Sequence, residues 1–228
     1  MSVAASTVQL AKPRTPQPLL LALHSSSESL GVAVQPLGEP AAAARVASFP
    51  LGRRLSNELL PCVEQLLPAD QWPQLGRLTV ATGPGGFTGT RLTVVLARTL
   101  AQQLAIPLHG FSSFLLIARR LLASQAPHEA GQRLWLEQVL PRRGSVVGCY
   151  GLDPEALGGV AELELPRLVR PGESWGGDGP FAAAVVDPEA DALQLLELAQ
   201  LAQAADLAGP WAPVLPLYPT SPVEGEGL

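Results

Sequence analysis

The chain has 228 residues, 47% of them hydrophobic and 15% charged, with a mean hydropathy of +0.22, a composition that buries a sizeable core and excludes general disorder. The length fits one large domain or two small ones, and the element pattern favours two. With 15 basic against 20 acidic residues, a formal charge of −5 and Lys12 as the single lysine, no general attraction to nucleic acid or anionic membrane is expected; a partner would supply the basic surface for any work on RNA.

Residues 1–18 are rich in Ser, Thr, Ala and Pro and carry Lys12 and Arg14 but no acid. They read as a disordered tail with a faint likeness to a transit peptide. The apolar runs 19–23 and 30–35, separated by a polar stretch, predict two strands joined by a tight turn, with a third strand over 41–49. Over 53–67, Leu55, Leu59, Cys62, Val63, Leu66 and Leu67 recur every three or four residues and predict an amphipathic helix. Pro61 inside it predicts a kink near Asn57. A strand over 78–82 runs into a glycine loop at 83–89, and a long helix over 90–104 follows.

A strand over 106–111, Ser112 or Ser113 as N-cap and a helix over 114–123 complete a parallel crossover unit. Arg119 and Arg120 are expected to complement the C-terminal dipole of that helix. Residues 124–131 read as a linker. Strands are expected over 134–140, 145–152, 160–165 and 181–186, a glycine turn at 176–179, and a last helix from Asp187 to about Leu207 before a Pro-rich end. Cys62 and Cys149 lack metal or redox spacing, which points to a reducing cytoplasm. No run is long enough to span a membrane.

The loop containing Gly83, Gly85, Gly86, Thr88 and Gly89 lies between strand and helix, so its amides can converge on a phosphate, with Arg91 adding a full charge. A weak ATP or ADP contact is the cofactor reading. The alternative is a tight turn with close backbone packing, Thr88 capping the helix and Phe87 acting as a plug. A Walker loop would need Lys followed by Ser or Thr where this chain has Thr90 and Arg91.

Residues 19–34 (LLLALHSSSESLGVAV), 55–61 (LSNELLP), 83–91 (GPGGFTGTR) and 105–113 (AIPLHGFSS) resemble, in order and spacing, the TsaB (YeaZ) family. Weaker landmarks at 141–146, 177–179 and 214–218 extend the likeness to nearly the whole chain. The resemblance implies an α/β, actin-like (ASKHA, ribonuclease H-like) fold of two lobes. Residues 19–111 would form the first and 112–208 a smaller second, including helices packing between lobes, followed by a Pro-rich segment over 209–228. It further implies a non-catalytic subunit that pairs with TsaD, which transfers threonylcarbamoyl to N6 of the adenosine following the tRNA anticodon. TsaE would join a larger complex, tRNA would be contacted indirectly, and a homodimer would form without TsaD.

Departures from the family pattern agree with a non-catalytic role. His24-Ser25-Ser26 stands where Asp-Thr-Ser is usual, and imidazole does not replace a hard carboxylate for Mg²⁺. Leu55 and Leu59 stand where TsaD has a metal-binding His-x-x-x-His, and Leu140 where an acid is usual. His24, His109 and His128 are scattered, and Ser25 to Ser27 lack a nucleophile elbow. The rival class is a free-standing ASKHA ATPase or small-molecule kinase.

Both helices of the first lobe carry wide apolar arcs: about 160° on the first, while the second leaves only about 40° free, at Arg91, Arg98 and Gln102. A wrapping by the lobe's own helices or a partner can cover the excess. The resemblance selects the partner: Leu55, Leu59, Cys62, Val63, Leu66, Val94, Ala97, Leu100 and Ala101 are the expected contact.

Overall fold

A computed structural model describes residues 17–124 and 133–219. The expected tail up to residue 16, most of the expected linker with His128, and residues 220–228 lie outside the described residues.

The first sheet begins with an antiparallel meander of β1 (Leu19–His24), β2 (Ser29–Pro36) and β3 (Arg45–Pro50). Then β4 (Leu75–Ala81) pairs parallel with β1, and β5 (Leu108–Phe111) parallel with β4, giving the order β3-β2-β1-β4-β5. This is the strand order the ribonuclease H-like expectation demands. β3 starts later than expected because Ala41–Ala43 take a 3₁₀ turn; alanines carry little strand preference to oppose it.

Continuous apolar runs suit β1 and β2 because both faces of the sheet are covered. Leu21, Leu23, Val32 and Val34 pack under α1 (Leu55–Leu66) and α2 (Phe87–Leu104). Leu20, Ala22 and Ala33 pack on the opposite side against Leu195, Leu198 and Ala199 of α4 (Pro188–Ala204). Asp187 caps α4 as expected, its Oδ1 accepting from the Ala190 amide at 3.1 Å.

The second sheet has the order β8-β7-β6-β9, from β6 (Arg133–Leu140), β7 (Gly144–Leu152), β8 (Val160–Val169) and the short β9 (Phe181–Ala183). One face packs on α3 (Ser113–Ser124), where Phe114, Ile117 and Ala118 meet Leu134, Leu136 and Val146. Strand alternation turns Trp135, Val147 and Cys149 to the other face. Ser112 is the N-cap of α3, its hydroxyl accepting from the Leu115 amide at 3.4 Å.

Arg119 and Arg120 do not serve the last turn of α3 as expected. They reach sideways: Arg119 donates to the Gly158 carbonyl at 3.0 Å and pairs with Glu197 at 3.2 Å, while Arg120 pairs with buried Asp191 at 3.2 Å. The two arginines therefore tie α3 to α4 and to the β7–β8 connection.

The Pro-rich segment after α4 is built into the first lobe. The Leu108 amide donates to the Gly209 carbonyl at 2.8 Å, the Leu217 amide to the Thr82 carbonyl at 2.7 Å, and Arg98 of α2 to the Val214 carbonyl at 3.0 Å. The Arg98 guanidinium also lies 5.4 Å from the Trp211 ring centre. This strap closes the β5 edge, which would otherwise expose unpaired backbone groups.

Candidate functional site

Because β1 and β4 are parallel neighbours, the turn after β1 and the glycine loop after β4 leave the sheet at the same edge. They touch through backbone. The Gly86 amide donates to the Ser26 carbonyl at 2.9 Å. A Cβ on Gly85 would lie 2.1 Å from the Ser26 carbonyl oxygen, and one on Gly89 would lie 2.6 Å from that of Ser25. The Ser113 amide adds a 2.7 Å bond to the Gly83 carbonyl. Beneath the loop run three hydroxyl contacts: Ser25–Thr93 at 2.7 Å, Ser26–Ser113 at 2.6 Å, and Thr90 to Ser26 at 3.4 Å. Gly85 and Gly89 thus permit close packing on the β1–β2 turn, one of the two readings left open by their spacing.

α2 begins at Phe87, earlier than expected, with Gly86 as a cap that lends no side chain. Thr88 therefore sits in the first turn and does not cap the helix. Phe87 is no buried plug: it is 41% exposed, with its ring 4.7 Å from that of Tyr218 on the strap. Beside the loop lies a cleft of about 500 Å³ bordered by Ser27, Glu28, Arg53, Thr88 and Gly89. Arg91 faces solvent outside this lining, so the cation at the cleft is Arg53. Nothing in the spacing of 83–91 brings Arg53 to mind; the 3₁₀ turn Gly52–Arg54 ahead of α1 places it there.

His24, at the end of β1, is fully buried and both ring nitrogens lack a hydrogen-bond partner. Burial, reinforced by nearby Arg120, lowers its pKa to about 4, so the ring is neutral at pH 7. His109 is also lowered to about 4, by burial and by its neighbour Arg77. The hydroxyls of Ser25 and Ser26 bond to Thr93 and Ser113, not to His24. No serine–histidine pair forms among the described residues. These residues also hold no group of three or more His, Cys, Asp or Glu positioned to share a metal ion.

The expected partner contact needs correction. Leu55, Leu59, Cys62, Val63, Leu66, Val94, Ala97, Leu100 and Ala101 are each at most 8% exposed and belong to the core above the first sheet. The helical wheel places apolar residues around an axis but does not show how much of the arc the sheet, the neighbouring helix and the strap cover. The outer arc of α2 carries Thr88, Arg91, Val95, Thr99 and Gln102, with Leu60 on the outside of α1. Leu60 and Val95 are 45% and 52% exposed, so an apolar patch remains, smaller and more mixed than the sequence predicts.

The family model for TsaD, tRNA N6-adenosine threonylcarbamoyltransferase, matches residues 51–130. The Bacillus subtilis protein named tRNA threonylcarbamoyladenosine biosynthesis protein TsaB is 40% identical over 96 residues, a match spanning 41% of each chain. YeaZ from Pseudomonas aeruginosa has the same fold, with a TM-score of 0.68 at 24% identity over 89% of this chain and all of that one. A second structure, described as a protein with similarity to peptidase YEAZ from Pseudomonas aeruginosa, gives 0.69 at 23% identity over 90% of this chain and 100% of that one. The chain is thus similar in sequence to a TsaB protein over part of its length, and in fold to the YeaZ structures over nearly all of it.

Proposed function

We propose that the chain is a TsaB-type subunit that binds a TsaD-type threonylcarbamoyltransferase and supports transfer of the threonylcarbamoyl group to N6 of the adenosine following the tRNA anticodon. The 40% identity to a TsaB protein carries this reading. It works in the cytoplasm, with TsaE in a larger assembly, and pairs with itself when TsaD is absent.

The chain contributes structure, not catalysis. Supporting this, the loop glycines are packed on Ser25 and Ser26, His24 is buried and neutral, and Leu55 and Leu59 occupy the core. ATP or ADP contact, if present, falls at the cleft of Arg53 and Thr88, where the α2 N-terminus favours an anion and Glu28 opposes it. The rival ATPase or kinase requires turnover by the isolated chain.

The partner face is the outer side of α1 and α2 around Leu60, Arg91, Val95 and Thr99, with the nine buried residues holding the helices from behind. Val95→Arg combined with Leu60→Arg should abolish co-purification with TsaD from the same organism while leaving the melting temperature unchanged. Undiminished co-purification of the folded double variant contradicts this placement.

A further inference from the structure

The acidic balance of the chain conceals one strongly basic end. Arg142 and Arg143 lie in the β6–β7 turn, and the Ser145–Val169 register brings the end of β8 to that same tip. Arg170 follows immediately: a Cβ on Gly144 would lie 3.1 Å from its Cα. Arg167 pairs in register with Val147, so it is on the face of the sheet turned away from α3. Arg142, Arg143 and Arg167 are exposed and have no ion-pair partner among the described residues. Of the acids nearby, Glu173 accepts from the Arg170 amide at 3.0 Å and Glu137, in the same cross-strand row as Arg167, accepts from the Ser145 hydroxyl at 2.6 Å, while Glu164 pairs in register with Cys149 further along the face. Three exposed arginines thus gather toward one end of the second sheet in a chain of net charge −5.

The same outer face carries a ring cluster in which Trp135 is buried, Trp175 half-buried and Phe181 exposed. Trp135 and Phe181 are paired in register, with ring centres 6.3 Å apart, and Trp175 stands 5.5 Å from Phe181 at a T-shaped angle. Phe181 is 55% exposed. The rings stand toward the opposite end of β6 from the arginine turn, two positions along from the row Arg167–Val147–Glu137, so an extended single strand crossing this face would meet arginines for its phosphates and a ring for a base. An acidic protein would use the charge but leave the rings without a role.

We propose that this outer face of the second sheet binds RNA, with Arg142, Arg143 and Arg167 neutralising phosphates and Phe181 and Trp175 offering stacking faces to unpaired bases. The choice of tRNA as the RNA rests on the function proposed above; the arginine end does not.

The test is binding of total tRNA to the full chain by fluorescence anisotropy, at salt concentrations from about 50 to 200 mM. Arg142→Gln, Arg143→Gln and Arg167→Gln together should weaken binding at least tenfold and flatten the log-affinity against log-salt slope by about 2. Phe181→Ala should weaken binding severalfold with the slope unchanged. Tm measurements verify that each variant is folded. Unchanged affinity and slope in the folded triple variant overturn the proposal, as does polyglutamate competing as well as tRNA. In a reconstituted modification assay with TsaD, a raised KM for tRNA in the triple variant supports it. Full activity with unaltered KM overturns this inference while leaving the subunit role standing; no stimulation by the wild-type chain, with tRNA binding intact, does the reverse.

Discussion

The two lobes are covered differently. The first sheet lies between α1 and α2 on one face and α4 on the other, with the strap along its β5 edge. The second sheet has α3 on one face only, and its other face keeps Phe181 and Val139 in solvent, at 55% and 67% exposure. In the first lobe, therefore, only the outer sides of helices are free to meet a partner, and side chains there can change without disturbing the core. In the second lobe the sheet face away from α3 is open only in part, with Trp135, Val147 and Cys149 buried on it and Phe181 and Val139 in solvent.

That contrast can be broken most forcefully at the glycine loop. Gly85→Ala places a methyl group 2.1 Å from the Ser26 carbonyl oxygen and forces the β1–β2 turn away from the loop. It should cost about 3 kcal/mol or more, read as a fall in Tm of roughly 10 °C in thermal unfolding. A loop that only skirted the turn would tolerate the methyl.

Next in size is acid sensitivity at His24. Its folded pKa, about 4, lies below the ordinary value of 6.5, so the unfolded chain binds the proton more readily. The sign follows: stability is lost as pH falls from about 6.5 towards 4, by about 3 kcal/mol in total. Asp191 works in the opposite sense, because burial raises its pKa despite Arg120. Urea unfolding from pH 7 to 4 should show that His24→Leu flattens the curve over this window. An unchanged curve would remove the buried-imidazole account.

A pair of neighbours on α2 then separates core from outer face. Val94→Ala leaves a cavity against the first sheet and should cost about 2 kcal/mol. Val95→Asp should shift stability by no more than about 0.5 kcal/mol in urea titration. Similar losses at both sites would mean that α2 is enclosed on every side. A modest effect is expected at the strap: Tyr218→Ala removes the ring 4.7 Å from Phe87 and should cost about 1 kcal/mol by the same titration.

Much of this architecture is legible in the sequence. Periodicity marks α1, the apolar arc marks α2, a serine cap announces α3 and Asp187 announces α4, while apolar runs mark the strands of the first sheet. Hidden features are those built by backbone or by remote pairing. The strap is held by the amides of Leu108 and Leu217, which no side-chain pattern records. β9 ends at Ala183, short of the expected 186, where the chain turns toward the Asp187 cap. The glycines announce a tight turn or a phosphate loop equally well, and only the carbonyls of Ser25 and Ser26 against them distinguish packing. Arg53 comes to the cleft, and Arg142, Arg143 and Arg167 come toward one end of the second sheet, through tertiary packing and strand register that spacing along the chain does not encode.

The subunit role is tested most directly by expressing TsaD from the same organism with and without this chain in cells lacking both, and quantifying threonylcarbamoyladenosine in purified tRNA by mass spectrometry. The modified nucleoside should accumulate only when both proteins are present. Equal modification in the two strains would contradict the account.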